Sequence, residues 1–161
     1  MRTVIYPGSF DPFHNGHLDV VRRASRIFDR VVVAVALNEA KKPLFTIEER
    51  HRLVQSAVQD MGNVEAECFD GLLVDYVVRR GACAVLRGLR AVSDFEFEFQ
   101  LALMNRKLNE QVETLFMTPK DTYTFVSSRL VKEIARLGGD VTPFVPAVVS
   151  VALRQKLIPG T

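Results

Sequence analysis

Residue types that bind phosphate are concentrated near the start of this 161-residue chain. Ser9 is followed by His14 and His17, which form the pattern His-x-Gly-His. A short apolar run precedes these residues and a helix-like stretch, Leu18 to Phe28, follows them. We therefore predict a strand, a loop and a helix N-terminus, where unpaired N–H groups and imidazole N–H groups can donate to phosphate oxygens. Gly16 would let the backbone approach such a ligand closely.

This stretch resembles the His-x-Gly-His motif of the nucleotidyltransferase superfamily, whose members transfer nucleoside monophosphates from nucleoside triphosphates. A strand–loop–helix turn with Gly and Asp is common in α/β proteins, and a single histidine is often structural. The combination of Ser9 with both histidines, after the first strand of the chain, favours the functional interpretation. By itself the motif indicates the superfamily and leaves the acceptor substrate open.

Basic residues follow two further predicted strands. Lys41 and Lys42 come after the apolar run 31–37, and the segment 87–90, Arg-Gly-Leu-Arg, comes directly after the run 82–86. Guanidinium forks match phosphate oxygens in pairs, so the arginine segment indicates a phosphate site. The lysine pair fits either a phosphate site or an ordinary solvated loop.

Two other features admit a structural and a functional interpretation. Ser127 and Ser128 stand at the start of a predicted helix, where they can cap it or form a second phosphate cradle. Glu98 falls on the same helical stripe as Phe95 and Phe99. A carboxylate among apolar neighbours needs a partner, which we expect to be either an arginine or a ligand hydroxyl or amine.

The elements that must position these groups alternate along the chain. We predict strands at 3–5, 31–37, 64–69, 82–86 and 112–117. We predict helices at Leu18–Phe28, from a capping box at Thr46 to about Asp60, at Gly71–Arg80, from a second capping box at Ser93 to Glu110, and twice within 126–156.

This alternation predicts an α/β fold, namely a Rossmann-like, doubly wound, five-stranded parallel sheet with C-terminal helices, forming a single domain over 1–161. Ligands of such sheets bind beyond the C-terminal strand ends, at the topological switch point. The candidate residues follow predicted strands, so we expect them to meet there. Cationic side chains and backbone N–H groups at one edge of the sheet favour a polyanionic ligand. We expect two phosphorylated ligands to bind there together.

Composition excludes several classes of protein. A net charge of +2 is too small to argue for a nucleic-acid or membrane partner. No apolar run reaches membrane-spanning length and no signal peptide is evident, so we expect a cytoplasmic protein. Cys68 and Cys83 fit no metal-ligand spacing, and we expect buried, reduced thiols.

Over its whole length the chain is similar to the bacterial phosphopantetheine adenylyltransferase family. The motif alone is less specific than the segments around Arg87 and Lys132. The resemblance rests on the segments 6–12, 15–17, 41–43, 45–50, 87–92, 94–96, 125–128, 130–133 and 139–141.

The resemblance implies transfer of AMP from ATP to 4'-phosphopantetheine, which gives dephospho-coenzyme A and pyrophosphate in coenzyme A synthesis. It implies that His17, Lys41 and Arg90 act on the reacting phosphates. It implies an acceptor site formed by Ser9, Lys41, Leu73 and Arg87. The implied ATP-binding residues are Ser9, Phe10, His17, Gly88, Leu89, Arg90, Glu98, Tyr123, Thr124, Phe125, Val126, Ser127, Ser128 and Arg129.

The chain departs from the family pattern at three positions. His14 stands where Thr is usual, Phe97 where Tyr is common, and Arg129 where a small residue is usual. None of these changes removes a residue that the mechanism needs. The His14 difference leaves open a sister enzyme, such as an adenylyl- or cytidylyltransferase acting on nicotinamide mononucleotide.

Two alternatives come from other classes of protein. A non-catalytic ATP-binding module would share the fold, and a fragment of a class I aminoacyl-tRNA synthetase would share the motif but needs a longer chain and a basic surface. We expect Mg²⁺ to arrive with ATP and no metal site made by the protein. The resemblance also implies coenzyme A as an inhibitor and a homohexamer. Leu101, Met104 and Leu108 could lie in the core or at an interface.

Overall fold

A five-stranded sheet, parallel throughout, forms the centre of the molecule. The computed structural model describes residues 1–37, 42–158 and 160, and it describes residues 92 and 93 by their backbone. The order of the strands is β3-β2-β1-β4-β5. This arrangement confirms the predicted α/β doubly wound sheet. The strands are β1 (Thr3–Gly8), β2 (Arg30–Ala36), β3 (Val64–Phe69), β4 (Ala84–Gly88) and β5 (Glu113–Met117).

The switch point of this sheet lies between β1 and β4, because the chain leaves β1 towards β2 on one side and enters β4 on the other. The ladder between these two strands pairs Val4 with Ala84 and Ile5 with Val85. Among the described residues, this ladder has no further pairs. The C-terminal ends of β1 and β4 are therefore free to border a crevice, which is where ligands of such sheets bind.

Six α-helices connect and flank the strands within the described residues, with a short 3₁₀-helix at Asp121–Tyr123. Helix α2 begins after Thr46, whose side chain accepts a hydrogen bond from Glu49 N while Glu49 bonds back to Thr46 N, so the predicted capping box is confirmed. The helices are α1 (Asn15–Ala24), α2 (Ile47–Val58), α3 (Leu73–Arg79), α4 (Val92–Leu108), α5 (Ser128–Arg136) and α6 (Ala147–Leu157).

The prediction that the first helix begins at the histidine pair is confirmed, because the His14 side chain caps α1. Helix α1 begins at Asn15, ahead of the predicted stretch from Leu18, and ends at Ala24 rather than Phe28. Helix α3 begins at Leu73 rather than Gly71. Helix α4 begins at Val92, with Ala91 at the N-cap position and no side-chain cap, so there is no capping box at Ser93. The predicted strand 3–5 continues to Gly8, and the strand 82–86 is shifted to Ala84–Gly88.

The core lies on both faces of the sheet, and β2 is buried along most of its length. A third apolar cluster joins α5 and α6 to Phe45 and Leu53. The two cysteines are free thiols, but both are exposed, so the expectation of burial was wrong. Cys68 lies on β3, at the edge of the sheet, where one neighbouring strand is missing. Among the described helices none is long and apolar enough to cross a membrane.

Candidate active site

A cavity of about 440 Å³ opens at the switch point, beyond the ends of β1 and β4. Both histidines of the motif line this cavity, together with the serine pair of α5 and both arginines of the 87–90 segment. Cationic side chains predominate over acidic ones on its wall, as a polyanionic ligand would require. The charged lining residues are Asp11, Lys42, Arg50, Arg87, Arg90, Asp94, Glu98, Arg129 and Lys132.

The loop after β1 is held in a tight conformation. Phe10 has a φ of 50°, in the left-handed region that costs a non-glycine residue roughly 1 kcal/mol or more. Its buried ring packs edge-on against Tyr6, Phe13 and His17. A Cβ on Gly8 would lie 2.9 Å from that ring, which is why only glycine fits there. The loop is thereby fixed against the first turn of α1.

His14 and His17 form a reciprocal cap at the start of α1. The Nδ1 atom of His14 accepts hydrogen bonds from Gly16 N at 3.0 Å and from His17 N at 3.4 Å. The Nδ1 atom of His17 accepts one from His14 N at 3.1 Å. Since both Nδ1 atoms are acceptors, each neutral ring carries its proton on Nε2. Each imidazole therefore keeps one N–H donor for a ligand.

The histidine pair is neutral at physiological pH. Burial lowers the pKa of His14 to about 3, and the Arg90 charge acts in the same direction. Burial also lowers the pKa of His17, with further contributions from His14, Arg90 and Arg87. A neutral ring that donates from Nε2 can bind a phosphate oxygen without carrying charge of its own.

Arg87 and Glu98 form a two-pronged ion pair on the cavity wall. Arg87 Nε donates to Glu98 Oε2 at 2.7 Å and Nη2 donates to Oε1 at 2.6 Å. Arg87 Nη1 also donates to the carbonyl oxygen of Pro7 at 3.0 Å, across the gap between β4 and β1. The partner of Glu98, left open by the sequence, is thus an arginine. Each Nη of Arg87 still carries a second N–H that can reach a ligand.

Arg90 is anchored from two directions. Its Nε donates to Asp94 at 3.1 Å and its Nη1 donates to the carbonyl oxygen of Val126 at 2.7 Å. Asp94 lies in the first turn of α4. Arg90 thereby connects the start of α4 to the segment before α5.

The start of α5 forms another wall of the cavity. Ser127 caps the helix by accepting a hydrogen bond from Leu130 N, which confirms the cap interpretation without excluding a ligand. Ser128 Oγ donates to the carbonyl oxygen of Pro12 at 2.8 Å. Arg129 is paired with Glu133 at 3.5 Å and its side chain remains largely exposed.

A buried network that the sequence reasoning missed supports the loop after β1. Asp11 accepts hydrogen bonds from Leu44 N and Phe45 N, and from Lys132 Nζ at 3.0 Å. The carboxylate thereby joins the loop to the start of α2 and to α5. Its partners lie far away in the sequence, so no local pattern could have identified it.

Arg50 is the second missed residue, and it is 2% exposed. Its Nη1 donates to Ser9 O at 2.8 Å and to Ala36 O at 2.9 Å, joining the ends of β1 and β2. Its Nε donates to Phe45 O at 3.2 Å. A signal was available, because Arg50 shares the buried stripe of α2 with Leu53 and resembles Glu98 in that respect.

Most of the predicted site residues meet in the cavity. Those on its wall are Ser9, Phe10, His17, Arg87, Gly88, Arg90, Glu98, Ser127, Ser128 and Arg129. Six other predicted site residues are not among the described residues that line the cavity: Leu73, Leu89, Tyr123, Thr124, Phe125 and Val126. Leu73 packs with the core cluster around α3. Lys41 lies outside the described residues, while its neighbour Lys42 lines the cavity.

Comparison with known proteins gives a consistent result. Residues 5–134 match the family model described as cytidylyltransferase-like. The phosphopantetheine adenylyltransferase of Alkaliphilus metalliredigens is 52% identical over 97% of this chain and 99% of its own length. That of Hahella chejuensis is 58% identical over 97% of each chain.

Solved structures support the fold. A Vibrio parahaemolyticus protein, provisionally named a nicotinate-nucleotide adenylyltransferase, superimposes with a TM-score of 0.68 over 100% of this chain and 98% of its own. Its 21% identity makes this a likeness of fold alone. The curated relatives decide the family, because they share more than half of their residues over nearly full length. This chain belongs to the phosphopantetheine adenylyltransferase family, within the cytidylyltransferase-like proteins.

Proposed function

We propose that this chain transfers AMP from ATP to 4'-phosphopantetheine, forming dephospho-coenzyme A and releasing pyrophosphate, as a step of coenzyme A synthesis. The names of the relatives support both substrates. The observation that carries the proposal is the cavity at the switch point. Its wall presents the start of α1, a neutral His17 and the anchored Arg90 to one space.

The acceptor phosphate is the nucleophile in this proposal. One of its oxygens attacks the α-phosphorus of ATP in line, a new P–O–P link forms, and the bond to the β-phosphate breaks with its electrons leaving on pyrophosphate. The attacker is already an anion at neutral pH, so no general base is required. The protein's work is to bring two anions together and to stabilise the charge that develops on the α-phosphate.

The stabilising groups are those whose donors are fixed in advance. His17 would donate its Nε2–H to the α-phosphate, since its Nδ1 is committed to the helix cap. The remaining N–H groups at the start of α1, together with Arg90, would act on the same phosphate chain. Donors already in place need no reorganisation during the reaction, which is the usual source of large rate effects.

The nucleotide would lie against Ser9, Phe10 and the segment 88–90, and against the start of α5 at Ser127 and Ser128. Arg87 and Lys41 would hold the acceptor phosphate and offset its repulsion from ATP. Glu98 orients Arg87 through the paired hydrogen bonds, so it would act on the acceptor through that arginine. The remaining residues proposed for the ATP site by resemblance are Tyr123, Thr124, Phe125, Val126 and Arg129, and Leu73 is proposed for the pantetheine arm.

We propose that Mg²⁺ is bound mainly by the triphosphate, where it would neutralise charge on the phosphate oxygens. The cavity carboxylates fit this arrangement, because Asp11, Asp94 and Glu98 each have a cationic partner. Among the described residues no group of three or more His, Cys, Asp or Glu side chains is placed to hold a metal ion.

We also propose a homo-oligomer, a hexamer by the family resemblance, in the cytoplasm, with dephospho-coenzyme A and coenzyme A binding as product and inhibitor. Helix α4 supports self-association because it exposes Phe97, Met104 and Leu108. Light scattering on the purified protein should give about six times the monomer mass. A monomeric mass at micromolar concentration would contradict the hexamer.

Pyrophosphate release from ATP and Mg²⁺, measured with and without 4'-phosphopantetheine, tests the activity. Release that depends on this acceptor is the expected result. If ATP binds measurably but no pyrophosphate is released, the result would favour a sister enzyme, to be identified with a panel of phosphorylated acceptors that includes nicotinamide mononucleotide. If no acceptor of the panel leads to pyrophosphate release, the result would favour the non-catalytic module.

A further inference from the structure

The hydroxyl of Tyr6 is a polar group on the cavity wall that the described protein does not pair. Tyr6 lies on β1 and is 5% exposed, with its ring packed against Phe10 at 5.4 Å and His17 at 6.3 Å between centroids. Among the described residues, none forms a hydrogen bond with its hydroxyl. Its oxygen is not one of the fully buried side-chain atoms of the described residues that lack a partner, so it reaches the open space of the cavity.

The position of the hydroxyl indicates where a partner could come from. Tyr6 lines the cavity at the switch point. A Cβ built on Gly88 would lie 3.7 Å from the Tyr6 oxygen, so the hydroxyl lies beside the end of β4. Arg87 and Arg90 act electrostatically on it. An acceptor atom that enters the cavity beside Gly88 would therefore meet a hydroxyl in a cationic environment.

The hydroxyl is a donor under all physiological conditions. Burial raises the pKa of Tyr6 above its usual value, and this effect exceeds the opposing effects of the Arg87 and Arg90 charges. A protonated phenol on a cationic cavity wall is suited to an acceptor that carries negative charge. Among the ligands proposed for this cavity, the phosphate oxygens have these properties.

We propose that the Tyr6 hydroxyl is a ligand-binding group that donates a hydrogen bond to a phosphate oxygen where ATP and the acceptor meet. This assignment rests on the proposed function for the identity of its ligands. The phosphate belongs either to ATP or to 4'-phosphopantetheine, and separate titrations distinguish them. The role is distinct from that of His17, since the hydroxyl is presented from the strand rather than from the helix.

Tyr76 provides a matched control within the same chain. Its hydroxyl donates to Glu67 on β3, so the protein itself satisfies this group. Tyr76 is also absent from the described lining of the cavity. The same substitution, Tyr→Phe, therefore removes a hydroxyl bonded to protein in one case and a hydroxyl without a protein partner in the other.

The test is Tyr6→Phe, with calorimetric titration of ATP and of 4'-phosphopantetheine, each alone, alongside urea unfolding. We expect one of the two ligands to bind about 10- to 100-fold more weakly, as for a lost hydrogen bond to a charged group. The unfolding midpoint should stay at or above the wild-type value, because no protein hydrogen bond is removed. Tyr76→Phe should lower the midpoint and leave both affinities unchanged.

Two outcomes would overturn the assignment. Tyr6→Phe could bind both ligands within twofold of wild type, so that the hydroxyl would not be a ligand group. It could instead lose stability as Tyr76→Phe does, so that the hydroxyl would have a protein partner. The proposed function is tested separately by acceptor-dependent pyrophosphate release in the wild type. Failure of that assay together with weaker ATP binding by Tyr6→Phe would overturn the function and support the hydroxyl's role.

Discussion

His14 and His17 stack ring on ring, with centroids 3.6 Å apart and planes inclined by 22°, and each accepts a backbone hydrogen bond from the other residue. The stack and the cap together fix the ring orientation and the tautomer of both histidines. His14 therefore has a structural role, as the N-cap of α1, that a Thr could fill through its own side-chain oxygen. Both histidines line the cavity, and the Nε2–H of His17 is the donor that we assign to the α-phosphate.

Replacing His17 should separate catalysis from folding. We expect His17→Ala to lower turnover on the order of 10²–10³-fold, as for the loss of a transition-state donor, while ATP affinity changes little. His17→Asn offers a control for the cap, since its side-chain oxygen can accept from His14 N. Steady-state kinetics and circular dichroism on both variants provide the measurement. Near-normal turnover in His17→Ala would remove His17 from the mechanism.

Stability should fall in acid because the folded state excludes protons from the histidine pair. The pKa of His14 is about 3 in the folded chain and near 6.5 when unfolded, so below pH 6.5 the unfolded state binds the extra proton. The part of the free energy of unfolding that comes from keeping the histidines neutral is fully present above pH 6.5. It is lost as pH falls towards 3, at up to ~1.4 kcal/mol per pH unit for each histidine.

His14→Thr isolates this effect, because it keeps an N-cap and removes one titrating group. We expect its free energy of unfolding to fall less steeply than the wild-type value between pH 6.5 and 5, by roughly 1 kcal/mol per pH unit. The carboxylates are the same in both proteins and cancel in the comparison. The measurement is the free energy of unfolding by urea at each pH for both proteins. If the two values fell in parallel over this range, His14 would be shown to accept a proton in the folded state.

Gly16→Ala should disturb the histidine stack. The added Cβ would come within 2.9 Å of His14 Cε1, too close for a ring held by two hydrogen bonds. We expect a loss of about 1–3 kcal/mol in stability and a larger fractional loss in turnover. Gly62→Ala is the control, since nothing lies within 4 Å of its Cβ position. Equal activity of the two variants would show that the stack tolerates displacement.

Arg87→Lys should weaken acceptor binding selectively. Lysine keeps a charge for Glu98 but cannot reproduce the paired bonds at 2.6 and 2.7 Å, nor also reach Pro7. We expect the KM for 4'-phosphopantetheine to rise about tenfold or more and the KM for ATP to stay within twofold. The milder variant is preferred to Arg87→Ala, which would leave Glu98 buried without a partner at a cost of about 3–5 kcal/mol. A rise in the KM for ATP alone would reassign Arg87 to the nucleotide.

Much of the fold could be predicted because it follows from local patterns. The apolar run that became β2 and the capping box at Thr46 each specify one element, and alternation along the chain then leaves few topologies. The errors came where side chains act across elements. Ser93 looks like the N-cap of a capping box, but α4 begins at Val92, and Asp94 in its first turn pairs with Arg90.

The candidate site was predicted in part for the same reason. Residues that follow strands, such as Ser9 and Arg90, could be identified because the strand ends of a parallel sheet share one edge. Asp11 was missed because its partners, two backbone N–H groups and Lys132, are distant in the sequence. Arg50 was missed although its place on the buried stripe of α2 was a local signal. Tyr6 was missed because a tyrosine in a strand is typical of a core, and only the folded chain leaves its hydroxyl without a partner.

The central claim is attack by the acceptor phosphate on the α-phosphorus of ATP. The most direct measurement uses 4'-phosphopantetheine whose phosphate carries heavy oxygen, with mass spectrometry of both products. The account predicts that all of the label stays in dephospho-coenzyme A, including the new bridge, and that pyrophosphate is unlabelled. Label in pyrophosphate, or release of AMP without dephospho-coenzyme A, would contradict it.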